Sequence, residues 1–185
     1  MRNLYWVIVA AILGVGVHIT TLIFVPGFVF EKSLNRLAAD VPDNKFFLLT
    51  REAQRKIFPE YPPDAIFGIC RFDLTTGPVD LNASLPDTFW TLTVYSKAGK
   101  TLYTVTDQQS GTDNFSLKLA MAPGLLDMFL AKGDDDEDPV ASSGWKVLSE
   151  DPRGFALFWV PASDQALREN LSETLARSSC NRSSG

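Results

Sequence analysis

The stretch Phe89–Asp107, FWTLTVYSKAGKTLYTVTD, carries the clearest fold signal in the chain. Aromatic and β-branched residues alternate with other residues along two arms, which is the two-residue period of a β-strand. In the first arm, alternate side chains from Trp90 to Val94 share one face. A short glycine-containing loop at Ser96–Lys100 separates this arm from the second, Thr101–Thr106. We therefore predict an antiparallel β-hairpin.

Similar alternation on both sides of the hairpin predicts further strands. These are Ala65–Leu74, a returning strand at Val79–Ala83, Asn114–Met121, and a second hairpin formed by Gly144–Glu150 and Gly154–Pro161. An apolar stripe at helical spacing predicts a C-terminal helix from Ser163 to Cys180, with Ser163 as its N-cap. Because most strands follow one another as antiparallel neighbours, we predict an α+β domain with mostly antiparallel, sandwich-like β structure.

The N-terminal segment Tyr5–Val25, YWVIVAAILGVGVHITTLIFV, contains no Asp, Glu, Lys or Arg. About 20 apolar residues in a helix are enough to cross a ~30 Å hydrocarbon core. No pair of small residues follows at the distance that a signal-peptide cleavage site requires, so we predict an uncleaved signal anchor. Arg2 precedes the segment without a neighbouring acid, which favours a cytoplasmic N-terminus and an exported domain.

One face of this predicted helix carries small and polar residues. Ala10, Gly14, His18 and Thr21 follow one another at spacings of four, four and three and form a stripe. Small residues let a second helix approach closely, and an ionisable residue inside a span usually faces protein rather than lipid. We expect this stripe to dock on a partner helix, in a homo-oligomer or a larger complex. The alternative is a neutral His18 bonded to a backbone carbonyl one turn away.

These patterns divide the chain into four regions. Residues 1–27 are the predicted transmembrane anchor, and residues 28–42 a juxtamembrane amphipathic helix and linker. Residues 43–180 form the extracytoplasmic β-rich domain, and residues 181–185 a disordered tail. The chain contains two cysteines, Cys70 and Cys180. Outside the cytoplasm an even count favours a disulfide, and the alternative is a pair of reduced, partly buried thiols.

Composition argues against several classes of function. The net charge of −5 lacks the basic footprint of a nucleic-acid-binding protein. The single histidine, His18, lies in the span, so the soluble domain cannot hold a His-dependent catalytic triad. The acidic run Asp134–Asp138 is interpreted as a solvated loop, with hard-cation binding as the alternative. We predict no metal, no cofactor and no enzyme activity.

Three segments and a near-terminal cysteine together resemble a known family. They are HITTLIFVP (residues 18–26), CRFDLTTGPV (residues 70–79) and the hairpin that opens this section. The chain is similar to bacterial predicted membrane proteins related to the domain of unknown function numbered 1254. The resemblance implies a bacterial inner-membrane protein with a periplasmic, antiparallel β-rich domain, and it implies no activity. Gln108 departs from the family pattern, in which a basic residue is expected after Asp107.

We therefore expect a membrane-anchored periplasmic accessory protein, a subunit that docks on a larger inner-membrane complex through its transmembrane helix. The alternative is a periplasmic module that binds a small apolar ligand or an envelope component between its sheets. Its candidate ligand surface consists of Trp90, Tyr95, Tyr103 and Asp107. A carboxylate-dependent hydrolase is the least favoured of the three hypotheses.

Overall fold

The computed structural model describes residues 2–38, 42–57, 64–110, 114–124 and 145–183. The helices in these ranges are α1 (Arg2–Ala38), α2 (Arg51–Ile57), α3 (Asp107–Ser110) and α4 (Gln165–Ala176). The strands are β1 (Lys45–Leu48), β2 (Ala65–Asp73), β3 (Val79–Ser84), β4 (Thr91–Ser96), β5 (Thr101–Thr106), β6 (Asn114–Met121), β7 (Trp145–Ser149), β8 (Arg153–Pro161) and β9 (Ser179–Arg182).

Helix α1 is 37 residues long and contains the predicted anchor. Its segment Leu4–Val25 has 22 residues and a mean hydropathy of 2.4, is long and apolar enough to cross a membrane, and is 0% buried inside the chain. Helix α1 passes through Pro26 and Gly27 without interruption, so the described residues of the predicted juxtamembrane helix continue the helix of the predicted anchor. Proline removes one backbone hydrogen bond. Helix propagation adds one bond per residue on either side, so a single loss does not end the helix.

Two β-sheets make up most of the remaining structure. The five-stranded sheet has the order β1-β2-β8-β4-β5, and all its neighbouring strands are antiparallel. The four-stranded sheet has the order β7-β6-β3-β9, and among its described pairs β6–β7 alone is parallel. The structure thus confirms an α+β fold with mostly antiparallel sheets and an N-terminal apolar helix.

The two sheets share one buried cluster of apolar side chains. From the five-stranded sheet it takes Ile66, Cys70, Phe72, Leu92, Val94, Val105, Ala156, Phe158 and Val160. From the four-stranded sheet it takes Val79, Leu81, Ala83, Phe115, Leu117, Leu119, Val147 and Cys180. Burying one such large apolar side chain is worth roughly 1.5–3 kcal/mol, so this shared core is the main source of the domain's stability.

The predicted central hairpin is confirmed. Strands β4 and β5 pair antiparallel, with Thr91 opposite Thr106, and a register shift between Val94 and Tyr95 marks a bulge. The backbone N–H of Ser96 donates to the carbonyl of Lys100 at 2.9 Å, which closes the predicted loop. Alternation along the arms therefore predicted the antiparallel pairing correctly.

The other two predicted strand pairings are wrong. Strands β2 and β3 are consecutive but lie in different sheets, as do β7 and β8. Strand β2 pairs with β1 and β8, whereas β3 pairs with β6 and β9. A strand pairs with those strands, often distant in sequence, with which it buries an apolar face. The residues of the turn between two consecutive strands do not determine this pairing.

The C-terminal helix is shorter than predicted. Helix α4 ends at Ala176, and its N-cap is Asp164 rather than Ser163. The Asp164 side chain accepts a hydrogen bond from the backbone N–H of Ala166. An aspartate carboxylate at this position also interacts favourably with the helix N-terminus, which explains the shift of one residue.

The chain after α4 forms an edge strand instead of continuing the helix. Cys180 lies in β9, opposite Leu81 of β3. Asn181 and Arg182 belong to the same strand, so the predicted tail does not begin at residue 181. The backbone N–H of Ser183 extends the contact by donating to the carbonyl of Pro78 at 2.9 Å.

Gly154 offers a direct test of the packing between β2, β4 and β8. A Cβ at this position would meet the ring of Phe72 and the backbone carbonyl oxygen of Tyr95. The carbonyl is fixed by the β4–β8 pairing, so Gly154→Ala is expected to lower the free energy of unfolding by about 1–3 kcal/mol. Urea unfolding of the full chain in detergent measures this. Gly16→Ala, whose Cβ meets nothing within 4 Å, is the control, and equal midpoints for both variants would contradict the packing described here.

Candidate functional site

The two cysteines connect the two sheets. Cys70 lies in β2 and Cys180 in β9, and both are almost fully buried, with 0% and 1% exposure. Their Cα atoms are 6.1 Å apart and their sulfur atoms are bonded in the structure. This Cα separation is within the usual disulfide range. The two residues are 110 positions apart in sequence, so the bond closes most of the domain into one loop.

The segment that follows Cys70 ends in a network around the carboxylate of Asp73. Its Oδ1 accepts from the backbone N–H of Thr75 at 2.9 Å and from the Thr75 hydroxyl at 2.6 Å. Its Oδ2 accepts from Nε of Arg153 at 2.8 Å. Asn44 bonds both backbone groups of Asp73, because its Oδ1 accepts from the N–H and its Nδ2 donates to the carbonyl. Asp73 therefore joins β2, the following turn, β8 and the residue before β1.

Other residues of the segment CRFDLTTGPV also make internal contacts. Arg71 forms an ion pair with Asp43. Gly77 adopts a φ of 130°, which favours glycine, and allows the chain to turn toward the second sheet. These observations explain why each of these residue types stands in the segment. The polar side chains of the segment thus form contacts that stabilise the fold.

The surroundings of Asp73 set its protonation. Burial raises the pKa of this carboxyl, but hydrogen bonds from Thr75 and the adjacent Arg153 guanidinium lower it further than burial raises it. The net pKa lies below the ordinary value of an aspartate carboxyl. Burial destabilises the charged carboxylate of Asp73, whereas the hydrogen bonds stabilise it.

The four residues of the candidate ligand surface do not form one surface. Trp90 is 2% exposed and lies in the shared core, with ring centroids 6.2 Å from Phe115 and 6.3 Å from Phe158. Its indole fills the space next to the hairpin in which the binding hypothesis places a ligand.

Tyr95 and Tyr103 lie on opposite faces of the five-stranded sheet. Tyr95 has the same orientation as the outer residues of β4, whereas Tyr103 lies opposite the core residue Val94. The Tyr103 ring packs 5.8 Å from that of Trp145, and burial raises the pKa of its hydroxyl. Asp107 begins α3, where its backbone N–H donates to the carbonyl of Trp90 at 3.2 Å.

Trp145 is an exposed aromatic residue at the edge of the four-stranded sheet. The alternating pattern of its segment suggests a core residue, but its side chain is 46% exposed because β7 is the edge strand of its sheet. The ring is 6.3 Å from Phe115 as well as 5.8 Å from Tyr103. It therefore closes the gap between the edges of the two sheets at β5 and β7.

The predicted docking stripe is exposed on α1. Ala10, Gly14, His18 and Thr21 all lie in the apolar part of the helix and are solvent-exposed within the chain. The Thr21 hydroxyl donates to the carbonyl of Val17 at 2.9 Å. Within the described ranges, no hydrogen bond of the His18 side chain is formed, so the alternative in which it bonds its own helix is not observed.

Two further findings concern metals and missed residues. The described part of the chain holds no group of three or more His, Cys, Asp or Glu side chains that could bind a metal. The acidic run Asp134–Asp138 lies outside the described residues. Sequence patterns also missed the buried contact between α2 and α4, in which Nη2 of Arg168 donates to Oε1 of Gln54 at 3.4 Å. The sequence pattern of two short helices does not show that a polar residue of one will contact a polar residue of the other.

The depressed pKa of Asp73 predicts acid sensitivity. Its folded-state pKa is below the unfolded value of about 3.9, so its stabilising contribution is present above that value and is lost as the pH falls through the folded pKa. Asp73→Asn is expected to destabilise the domain near neutral pH and to reduce the loss of stability between about pH 5 and pH 2. Urea midpoints across this range measure it. The exposed Asp87→Asn should retain the original slope, and an equal slope in Asp73→Asn would contradict the network's role.

Comparisons with known proteins support the fold. No protein-family model and no curated protein matches the chain. The chain is similar to the crystal structure of the VPA0106 protein from Vibrio parahaemolyticus, with a TM-score of 0.57 and 12% identity over 86% of this chain and 36% of that one. An uncharacterised protein from Burkholderia cenocepacia matches with a TM-score of 0.47 and 13% identity, over 85% of this chain and 41% of that one. The chain thus spans less than half of either protein. The similarity to the Vibrio protein shows the fold alone, and the family resemblance drawn from sequence stays a prediction.

Proposed function

We propose that this protein is a membrane-anchored accessory protein that docks on a helical partner in the bacterial inner membrane through α1. One observation carries the proposal. The 22-residue apolar segment of α1 is 0% buried against the rest of the chain. Such a segment requires lipid or another protein around it, because its exposed apolar surface is unfavourable in water.

A partner protein would contact the face of α1 that carries His18. A Cβ added at Gly14 meets nothing within 4 Å, so the chain itself leaves this position open to a neighbouring helix. The unbonded imidazole of His18 lies one turn further along the same stripe. A polar side chain without a partner is costly in hydrocarbon, and a facing helix can supply the missing hydrogen bond.

We place the sandwich-like β domain in the periplasm. The Cys70–Cys180 pair supports this location, because stable disulfides belong to oxidising compartments. The single basic Arg2 before the span and the family resemblance agree with a cytoplasmic N-terminus.

The two other hypotheses have less support. A ligand held beside the hairpin would compete with Trp90, whose indole fills that part of the core. Asp73 gives no support to a carboxylate-dependent hydrolase, because its buried carboxylate is engaged by Thr75 and Arg153. We therefore propose contact with another protein rather than ligand capture or catalysis.

The docking face can be tested with two matched substitutions. Gly14→Ile adds a branched side chain to the stripe, whereas Gly16→Ile adds the same side chain away from it, and at neither position does an added Cβ meet an atom of the chain within 4 Å. Gly14→Ile is expected to reduce cross-linked or co-purified complex by at least about tenfold, since a loss of about 1.4 kcal/mol of packing is enough. Native-detergent purification after cross-linking in membranes measures the complex. Equal recovery in both variants, or a monodisperse monomer in the unsubstituted protein, would overturn the docking proposal.

The location can be tested through the cysteines. Alkylation of membranes under denaturing conditions should find no free thiol at Cys70 or Cys180 until a reductant is added. The double variant Cys70→Ala, Cys180→Ala should lose about 4–5 kcal/mol of unfolding free energy, because the bond constrains a loop of about 110 residues in the unfolded chain. Complete alkylation without reductant would argue against an oxidising compartment.

A further inference from the structure

The helix that contains the anchor is longer than a membrane span. The apolar segment ends at Val25, but α1 continues to Ala38. At 1.5 Å per residue, about 20 Å of helix extends beyond the apolar segment. A flexible linker at this place would leave the orientation of the domain free, whereas a continuous helix transmits both direction and rotation.

The domain meets this helix through α2. Helices α1 and α2 are in contact. Helix α2 is in turn fixed to α4, because Nη2 of Arg51 donates to Oε1 of Gln165 at 2.6 Å. The second bond between these helices joins the buried side chains of Arg168 and Gln54, which are 8% and 3% exposed.

The buried bond makes the α2–α4 contact difficult to separate. Desolvation lowers the pKa of Arg168, and the nearby Arg51 lowers it further, while Asp64 opposes them. A buried charged group that loses its hydrogen-bond partner carries the full cost of desolvation. Helix α4 also packs Leu171 and Leu175 into the shared core. A connected series of contacts therefore runs from α1 through α2 and α4 into the domain.

We propose that α1 is a single rigid strut. A partner bound to its transmembrane part would then set the distance of the periplasmic domain from the membrane and its rotation about the helix axis. This inference rests on the membrane insertion in the proposed function. It adds that docking of the stripe fixes the position of the whole domain, through a helix that continues past Pro26 and Gly27.

Distance measurements between spin labels on the full chain in lipid nanodiscs test the strut. Ile12→Cys places one label on the exposed apolar part of α1, and Lys100→Cys places the other on the exposed loop after β4. The native cysteines are bonded to each other, so the new thiols can be labelled selectively. A single narrow distance distribution is expected.

Two insertions after Phe28 serve as matched controls. Seven helix-forming residues, about two turns, should keep the distribution narrow and lengthen the distance by up to about 10 Å. Seven residues of glycine and serine should broaden it, because they form a flexible coil. A broad distribution in the unmodified chain, equal to that of the glycine-serine variant, would overturn the strut.

The result is independent of the partner, because the nanodisc contains none. A broad distance distribution would overturn the strut but would not bear on docking. Docking is tested separately, by the loss of cross-linked complex in Gly14→Ile. Release of the unmodified chain from the lipid by carbonate would instead overturn membrane insertion, and with it both proposals.

Discussion

Strand β2 is constrained on every side, and the rest of the domain depends on it. It pairs with β8 along its length and with β1 from Gly68 to Arg71, and all but one of its residues are buried. One face contributes Ile66, Cys70 and Phe72 to the core shared with the second sheet. The other face contributes Phe67 and Ile69 to a second cluster that also contains Leu49 and Phe155. A strand buried on both faces cannot change its register without exposing one of these sets.

The disulfide and the polar network at the ends of β2 hold this arrangement in place. Cys70 connects the strand to β9 of the other sheet, and Asp73 connects its end to the turn and to Arg153. Both residues are buried, and an unsatisfied polar group would be costly there. Both side chains bond to other residues of the domain. Cys70 and Asp73 thus stabilise the fold.

The anchor contrasts with the domain. The domain buries its apolar side chains, whereas α1 exposes its apolar segment, and Gly14 and His18 are exposed on it. The specific surface that remains unpartnered is therefore on the helix. Its continuation beyond Val25 and its contact with α2 join that surface to the shared core through a short series of buried and hydrogen-bonded contacts.

The sequence by itself determined the features that arise from short-range pattern. The apolar N-terminal helix, the β4–β5 hairpin and the buried faces of β4 and β6 follow from residue alternation and helix length, because neighbouring residues on one face are buried or exposed together. Tertiary structure decided which strands pair. It separated β2 from β3 and β7 from β8, and it moved Cys180 from a helix to β9. These outcomes depend on contacts between residues far apart in the chain, whose energies no local pattern contains.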